Sequence, residues 1–374
     1  MKKTIAIIMA MAMTASLAAC GSSGTSTTEA AATEAATEAA AEEADAAEEA
    51  GDEAEEADAA EAVDTSNAEY TLKVGHTLQE NTPSHEGFLK FKEEVEKNSN
   101  GRIAVEIYPN SSLGSERVMF EACQMGTLEI AFGTSSVLAN FMPKLKVLDL
   151  PFLFSDEESA RKAITGKLGD AAAEGIEDIG LVKLGYMENG IRHVTNSARP
   201  INTPDDLKGL KIRTMENDIH MKSFELLGAS PTPMAFTELF TALQQKTVDA
   251  EENPIFLIQT SRFDEVQSYL SLTGHFYTTG VITMNKALYD SMPEDLQKVL
   301  MDAAEVARDY QYELCDEQNA EALEYLKTKM EVNEITPENR QLFVDATAPV
   351  YDELAAEIGQ DIVDIAKDAQ AGNF

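Results

Sequence analysis

The sequence is poor in positive charge. It contains 29 Lys and Arg residues against 66 Asp and Glu residues, which gives a formal net charge of −37. A chain this negative is unsuited to binding nucleic acid, and its overall electrostatic field does not attract anions. If the protein binds an anion, the site therefore needs a local, enclosed positive charge.

The sequence also lacks the motifs of common cofactor and catalytic sites. There is no G-x-G pair, so the dinucleotide fingerprint is absent, and there is no G-x-x-x-x-G-K-[ST] phosphate loop. It has no G-x-S-x-G nucleophile elbow. It also has no H-E-x-x-H or C-x-x-C pair, and its five histidines do not follow metal-ligand spacing. We therefore predict no cofactor and no metal, and we favour a binding protein over an enzyme.

Cysteine is rare, with three residues at Cys20, Cys123 and Cys315. Cys123 and Cys315 are far apart in sequence and could form one bridge, but spacing alone does not decide this. Because Cys123 falls in a helical pattern, a buried helix position is the favoured interpretation. We predict no essential disulfide.

The first twenty residues have the pattern of an export signal. Lys2 and Lys3 precede a mostly apolar run at residues 5–19, which is too short for a comfortable membrane span. The ending "LAAC-G" resembles a bacterial lipobox, in which Cys20 becomes the lipid-modified first residue of the mature protein. The alternative is an ordinary cleaved signal with an incidental cysteine.

Residues 21–68 are of low complexity. They contain fifteen acidic residues and no Lys or Arg, and the remainder is mainly Ala, Thr and Ser. Such a segment buries too little apolar surface to offset the entropy lost on ordering, and its like charges oppose an Ala/Glu helix. We predict a disordered acidic linker that holds no site.

From residue 69 to residue 374 the pattern is that of an α/β domain. Strand-like alternation at 70–77, 103–109 and 129–136 is interrupted by two helical segments. Phe88 and Phe91 lie on the apolar face of the first helix, and Ser115 is a candidate N-cap for the second. This order indicates a mostly parallel sheet flanked by helices.

A later helical pattern is unusually long. No Gly or Pro interrupts residues 294–329, which follow Pro293. Since this exceeds the usual helix length, we expect a helix that spans more than one lobe or bends.

Five stretches, in this order, resemble the substrate-binding proteins of tripartite ATP-independent periplasmic (TRAP) transporters, the DctP-type family. They are "LKVGHT", "NGRIAVEIYPNSSLGSERVMFEACQMGTLEIAF", "VLDLPFLF", "ENGIRHVTNSARPINTPDDLKGLKIRTMEN" and "LGASPTPMAFTELFTALQQKTVDAEENP". The resemblance implies an α/β, two-lobed fold like that of class II periplasmic binding proteins, with crossing strands, a lobe-spanning helix and a ligand cleft between the lobes.

The resemblance also implies lobe boundaries and a function. Lobe I would contain about 69–189 plus 280–315, and lobe II about 190–279 plus 316–374. The protein would be an extracytoplasmic lipoprotein, periplasmic or on the outer face of the cytoplasmic membrane, anchored only by its lipid. It would bind a small organic acid and deliver it to membrane permease subunits. A shuttling binder needs no second copy, so we expect a monomer.

Two arginines match ligand-binding positions of the family. The Arg of "GLKIR" forms the salt bridge to the substrate carboxylate and matches Arg213, whose guanidinium presents paired donors suited to a carboxylate. The alternative is a strand arginine that pairs with a protein acid. Arg192 matches a second arginine that often contacts the ligand. Its alternative is a surface charge at a strand edge.

Two further positions match the cleft of the family. Asn253 corresponds to an asparagine whose amide donates and accepts hydrogen bonds, although Asn before Pro is also a common turn residue. Phe236 corresponds to an aromatic residue that packs against the ligand. It also begins an apolar helical stripe with Leu239, Phe240 and Leu243, so a core position is the alternative.

The ligand class follows from less specific matches. Sialic-acid binders of the family carry acids and an asparagine at positions that align with Thr77, Ser115 and Thr134, so their absence here argues against sialic acid. "HTLQENTPSHEG" and "RTMEN" look more like members that bind sugar acids such as uronates or aldonates. His85 and Glu216 would then contact the ligand.

Alternatives remain for these residues and for the function. His85 would otherwise be a surface residue at a helix start, Glu216 would pair with Arg213, and His76 is expected to be structural. A C4-dicarboxylate binder would use both arginines for two carboxylates. The domain could also be the ligand-sensing partner of a membrane receptor.

Overall fold

The computed structural model describes residues 63–374; the predicted signal, Cys20 and the linker up to residue 62 lie outside the described residues. This part of the chain contains nine strands, all in one sheet. The strands are β1 (Tyr70–Gly75), β2 (Ile103–Tyr108), β3 (Ile130–Thr134), β4 (Leu181–Asn196), β5 (Lys211–Thr214), β6 (Ser230–Pro233), β7 (Ala250–Pro254), β8 (Tyr269–Asn285) and β9 (Glu331–Glu334).

Thirteen α-helices accompany the sheet within the same residues. They are α1 (Pro83–Asn98), α2 (Glu116–Gln124), α3 (Ser135–Leu138), α4 (Glu157–Ile164), α5 (Lys167–Ala173), α6 (Asp218–Leu226), α7 (Phe236–Gln244), α8 (Ile255–Thr260), α9 (Lys286–Ser291), α10 (Glu294–Lys327), α11 (Pro337–Thr347), α12 (Pro349–Ile358) and α13 (Gln360–Gln370). Short 3-10 helices form at Pro143–Asp149, Ile176–Ile179, Pro204–Leu207 and Phe263–Glu265.

Two long strands join the halves of the sheet. The strand order is β2-β1-β3-β8-β4-β7-β5-β6, with β9 added beside β8. Strands β1, β2 and β3 of lobe I pair in parallel, as do β5, β6 and β7 of lobe II. Strands β4 and β8, antiparallel to each other, run through both lobes. The predicted α/β fold with crossing strands is confirmed.

The local sequence signals explain the helices that frame the cleft. Phe88, Phe91 and Val95 are fully buried on the inner face of α1, and the Ser115 side chain accepts a hydrogen bond from the Val118 N–H as the N-cap of α2. Helix α10 runs for 34 residues without a break. It contacts α1 of lobe I and α8 of lobe II, as the predicted lobe-spanning helix should.

Strand β4 is irregular where it passes between the lobes. Its register with β8 shifts between Glu188 and Gly190, and Gly190 has a φ of 107°. That backbone conformation favours glycine, and such bulges commonly redirect a strand beside a binding site. Asn189 and Arg192, on either side of Gly190, both line the cavity described below.

The exact lobe boundaries stay a prediction. Helices α12 and α13, which the sequence-based division assigns to lobe II, pack against the 3-10 helix Pro143–Asp149, and α13 also packs against α4 and α5. Cys123 in α2 and Cys315 in α10 are both buried and free. Among residues 63–374, no helix combines the length and the apolar character needed to cross a membrane.

Candidate functional site

A cavity lies between the two lobes. Residues from both lobes form its wall, so the site depends on how the lobes come together. Lobe I contributes Thr77, Leu78, Ser115, Glu116, Thr134 and Val137, β4 contributes Asn189 and Arg192, and lobe II contributes Arg213, Met215, Glu216, Met234, Ala235, Phe236, Thr237, Asn253 and Leu257.

Arg213 is a buried cation that pairs with no acid in the part of the chain that the structure describes. It lies on β5, with 2% of its surface exposed. Its Nε and Nη2 donate to the Met234 carbonyl oxygen at 3.0 and 2.8 Å, while the buried Nη1 has no hydrogen-bond partner among the described residues. Burial lowers the pKa of Arg213 to about 10, so the guanidinium stays charged at neutral pH.

The two protein-acid alternatives for Arg213 are not supported by this geometry. Within residues 63–374 no carboxylate lies within ion-pair distance of its guanidinium, and the carboxylate of Glu216 instead lies 3.5 Å from Nε of Arg117. Glu216 lines the cavity from lobe II while it pairs with a residue of lobe I. The expectation that Glu216 might simply pair with Arg213 is therefore wrong.

Arg192 is fully buried, which rules out a surface charge at a strand edge. Its Nε lies 2.5 Å from Oε2 of Glu252, and its Nη2 donates to Oε1 of Glu252 at 2.9 Å and to the Glu252 carbonyl oxygen. Burial acts to raise the pKa of Glu252, but Arg192 and hydrogen bonds from His220 and His275 bring it well below its usual value. Most of the Arg192 guanidinium is thus engaged by the protein.

Asn253 occupies the wall next to this ion pair. Its Oδ1 accepts a hydrogen bond from Nη2 of Arg192 at 3.1 Å, and its Nδ2 donates to Oε2 of Glu251 at 2.5 Å. An amide nitrogen carries two hydrogens, so one donor of Asn253 remains for a bound molecule. Because Oδ1 accepts from Arg192 and one Nδ2 hydrogen is donated to Glu251, the free donor is the second hydrogen of Nδ2.

Phe236 combines the two roles expected from its sequence. It is the first residue of α7 and lines the cavity. Its ring also packs edge-to-face against Phe263, with ring centroids 6.3 Å apart. One side of the ring therefore belongs to the lobe II core and another side to the site.

His85 does not line the cavity. Its Nδ1 lies 3.2 Å from Nε2 of His76, in the interior of lobe I, where the His76 ring stacks on Phe88. With 9% of its surface exposed, His85 is also not the surface residue of the alternative interpretation. We assign it no ligand contact, because its pairing with His76 directs it into the interior.

Glu116 is a site residue that the sequence reasoning missed. It lines the cavity from the first turn of α2, and its Oε2 accepts a hydrogen bond from Oγ1 of Thr134 at 2.8 Å. Burial raises the pKa of its carboxyl, against the effect of Thr134 and Arg213. The sequence feature that could have identified Glu116 is its position as an acid directly after the N-cap Ser115, in the first turn of a helix that begins at the cleft.

Several hydrogen bonds hold the lobes together around the cavity. Nδ2 of Asn217, in lobe II, donates to the Ser136 carbonyl oxygen at 3.0 Å and to Oδ2 of Asp149 at 2.9 Å. Nδ2 of Asn140, in lobe I, donates to the Glu216 carbonyl oxygen at 2.6 Å. These contacts describe a closed cleft, which screens charges inside it poorly.

The cavity thus offers one free cationic donor, an amide donor, hydroxyl groups and two carboxylates. A free N–H on a buried guanidinium suits an anionic oxygen. Carboxylates and hydroxyls accept hydrogen bonds from alcohol groups. The arrangement is chemically suited to a small molecule with one carboxylate and several hydroxyls.

Comparison with known proteins gives a consistent result. Residues 74–358 match the family model described as bacterial extracellular solute-binding protein, family 7. A solute-binding protein of Verminephrobacter eiseniae is 40% identical over 305 residues, which cover 81% of this chain and 90% of that protein. The C4-dicarboxylate-binding periplasmic protein of Rhodobacter capsulatus is 33% identical over 306 residues, with 80% and 91% covered.

Two solved structures are similar over most of their length. A TRAP periplasmic solute-binding protein of Polaromonas sp. JS666, bound to D-erythronate, has 40% identity and a TM-score of 0.77, with 80% of this chain and 98% of that chain covered. A sugar-acid-binding protein of Advenella mimigardefordensis, in complex with galactonate, has 36% identity and a TM-score of 0.79, with 81% and 98% covered.

Proposed function

The chain belongs to the bacterial extracellular solute-binding proteins of family 7, the substrate-binding components of TRAP transporters, and on this premise we propose that it binds a sugar acid of the aldonate or uronate class. The observation that carries this proposal is the free Nη1 of Arg213, a buried cationic donor at the wall of a closed cavity that has no hydrogen-bond partner within residues 63–374. An enclosed positive charge is what an anion site requires in so acidic a protein.

The carboxylate of the ligand binds at Arg213. Two donors of that guanidinium hold the Met234 carbonyl oxygen, which fixes the plane of the group and aims Nη1. The remaining amide hydrogen of Asn253 supplies a second, neutral donor. Arg192 acts mainly by holding Asn253 in place, and Phe236 packs against the carbon skeleton.

The charge balance of the cavity favours one carboxylate over two. A dicarboxylate would need a second free cation, but Arg192 is already paired with Glu252. Glu116 and Glu216, the other charged groups of the wall, are acids. Juxtaposed like charges cost several kcal/mol in a desolvated site, whereas acids accept hydrogen bonds from hydroxyls. This supports a sugar acid, as in the galactonate and D-erythronate complexes of the similar proteins.

Binding is coupled to closure of the lobes. Thr77, Glu116 and Thr134 of lobe I contact hydroxyls of a ligand whose carboxylate is held by lobe II. Only a ligand that touches both walls stabilises the closed form relative to the open form. The closed form then delivers the acid to the permease subunits of the transporter.

The N-terminal segment anchors the domain to the membrane. In this proposal residues 1–19 are cleaved from the signal segment, Cys20 carries the lipid as the new first residue, and the acidic linker lets the domain move over the permease. In the producing cell, a fatty-acid label should be incorporated by the wild-type protein and not by the Cys20→Ala variant. A wild-type protein that takes up no label would rule out the lipid anchor.

Mass spectrometry of the small molecules released from the purified, denatured protein tests the ligand class. We expect an intact sugar acid, and calorimetry should rank D-galactonate, D-erythronate, D-galacturonate or D-glucuronate above succinate. Tighter binding of succinate would replace the proposal with dicarboxylate transport. Conversion of a bound sugar acid into a product would indicate an enzyme.

A further inference from the structure

A second buried carboxylate lies directly behind the cavity wall. Glu251 is on β7, between Ala250 and Glu252, and has none of its surface exposed. It does not line the cavity, but its Oε2 accepts the hydrogen bond from Nδ2 of Asn253, which does. A charge on Glu251 is therefore separated from a bound molecule by the Asn253 side chain.

The hydrogen bonds of Glu251 fit a carboxyl group with or without a proton. Its Oε1 lies 2.5 Å from Oγ1 of Thr195, and that hydroxyl also lies 3.4 Å from Oε1 of Gln267. An ionised Glu251 accepts from Thr195. A protonated Glu251 donates to Thr195, which then donates to Gln267, while Asn253 still donates to Oε2. Protonation therefore changes the charge of the site without moving a side chain.

Within the described part of the chain, no Lys, Arg or His side chain forms an ion pair with Glu251. The next residue on its strand, Glu252, adds a like charge. On β4, Arg192 is paired with Glu252, and burial lowers the pKa of His193 to about 3, so its imidazole is neutral. The buried cation of β5 is Arg213. Helix α8, which follows β7, has no ionisable side chain. Burial, with a contribution from Glu252, raises the pKa of Glu251 to about 7.

We propose that Glu251 controls the affinity of the cavity for an anion: the site binds a carboxylate tightly when Glu251 is protonated and weakly when Glu251 is ionised. The inference rests on the proposed function, because it assumes that a carboxylate occupies the place beside Arg213. An ionised Glu251 offsets part of the positive charge of Arg213 and repels the ligand through a poorly screened interior. Glu251 is a positioning and charge-setting residue that acts through Asn253.

The coupling is reciprocal. If protonation of Glu251 favours the bound anion, the bound anion must favour protonation by the same free energy. Binding near neutral pH therefore takes up a proton, and the affinity falls as the pH rises above 7. The limit for one linked proton is about tenfold in affinity per pH unit.

Calorimetry with D-galactonate at pH 7, in phosphate and in Tris, measures this proton uptake from the difference in apparent enthalpy. We expect a fraction of one proton taken up by the wild-type protein and none by the Glu251→Gln variant, whose affinity should stay constant between pH 6 and 8. Glu238→Gln, which removes a charge from an exposed position of α7, should behave like the wild type. Binding without proton uptake, or equal uptake by Glu251→Gln, would overturn the inference.

Infrared spectroscopy of the unliganded protein separates this inference from the proposed function. The difference between wild type and Glu251→Gln should contain a protonated carboxyl band that disappears as the pH rises through about 7. If D-galactonate fails to bind but this band titrates, the ligand assignment is at fault. If Glu251 is ionised at every pH from 5 to 9, the inference is wrong whatever the ligand.

Discussion

Arg192 and Glu252 form a fully buried ion pair at the wall of the interlobe cavity, with Nε of the arginine 2.5 Å from Oε2 of the glutamate. Nε2 of His275 donates to the same Oε2 at 3.1 Å, which extends the network away from the cavity. The two cleft arginines therefore have different roles. Arg192 satisfies a protein acid and supports the wall, and Arg213 keeps a donor free.

Removing Arg192 should therefore destabilise the protein more than removing Arg213. Arg192→Ala leaves Glu252 buried without its cation, a change that costs about 3–5 kcal/mol in comparable buried pairs. Arg213→Ala removes a cation that has no ion-pair partner among the described residues 63–374, so the free energy of unfolding of this variant should fall less. Denaturant unfolding of both variants measures the difference. Equal stability of the two variants would contradict the assigned roles.

Replacing Arg213 by lysine should weaken binding without abolishing the charge. A lysine ammonium cannot hold the Met234 carbonyl oxygen with two donors and present a third in a fixed direction. Loss of one charge-assisted hydrogen bond costs about 1.5–3 kcal/mol, or roughly ten- to a hundredfold in affinity. Calorimetry measures this change, and an unaltered affinity would show that the guanidinium geometry is unimportant.

Glu116 should select against ligands with two carboxylates. Glu116→Gln removes the negative charge and leaves a group that can hydrogen-bond hydroxyls, so the preference for D-galactonate over succinate should fall by about tenfold or more, because like charges in a desolvated site cost several kcal/mol. Glu121→Gln, on the exposed side of the same helix, is the matched control. A preference that is the same in both variants would exclude Glu116 as the selective group.

The raised pKa of Glu251 also predicts a pH dependence of stability. Its folded-state pKa of about 7 lies above the ordinary value of 4.5, so the folded state binds the proton more tightly than the unfolded state does. The stabilisation is complete below about pH 4.5 and is lost as the pH rises through about 7. Thermal unfolding of the unliganded protein should show the wild type losing stability relative to Glu251→Gln across this interval. A constant difference would contradict the pKa shift.

Much of the fold was predictable from local patterns. The apolar stripe of Phe88, Phe91 and Val95 predicted α1, and the uninterrupted segment after Pro293 predicted α10. Arg213 stood out because an acidic chain placed it near the end of an apolar strand. These features depend on residues that are neighbours along one element, so the sequence records them directly.

The details of the site were less predictable because they depend on contacts between distant segments. The pairing of Arg192 with Glu252 joins residues of two strands, and the pairing of Glu216 with Arg117 joins two lobes. Spacing along the chain shows neither. The sequence around His85 predicted a ligand contact, but the His85 ring pairs with His76 in the interior of lobe I.

The most direct test of the account is the affinity of the Arg213→Ala variant for the sugar acid that the wild type binds most tightly. Arg102→Ala, which removes an arginine paired at the surface of lobe I with Glu69, serves as the control. Isothermal titration calorimetry should find wild-type affinity in Arg102→Ala and a loss of about a hundredfold or more in a cooperatively folded Arg213→Ala protein. Unchanged binding by Arg213→Ala would contradict the central claim that this arginine holds the carboxylate.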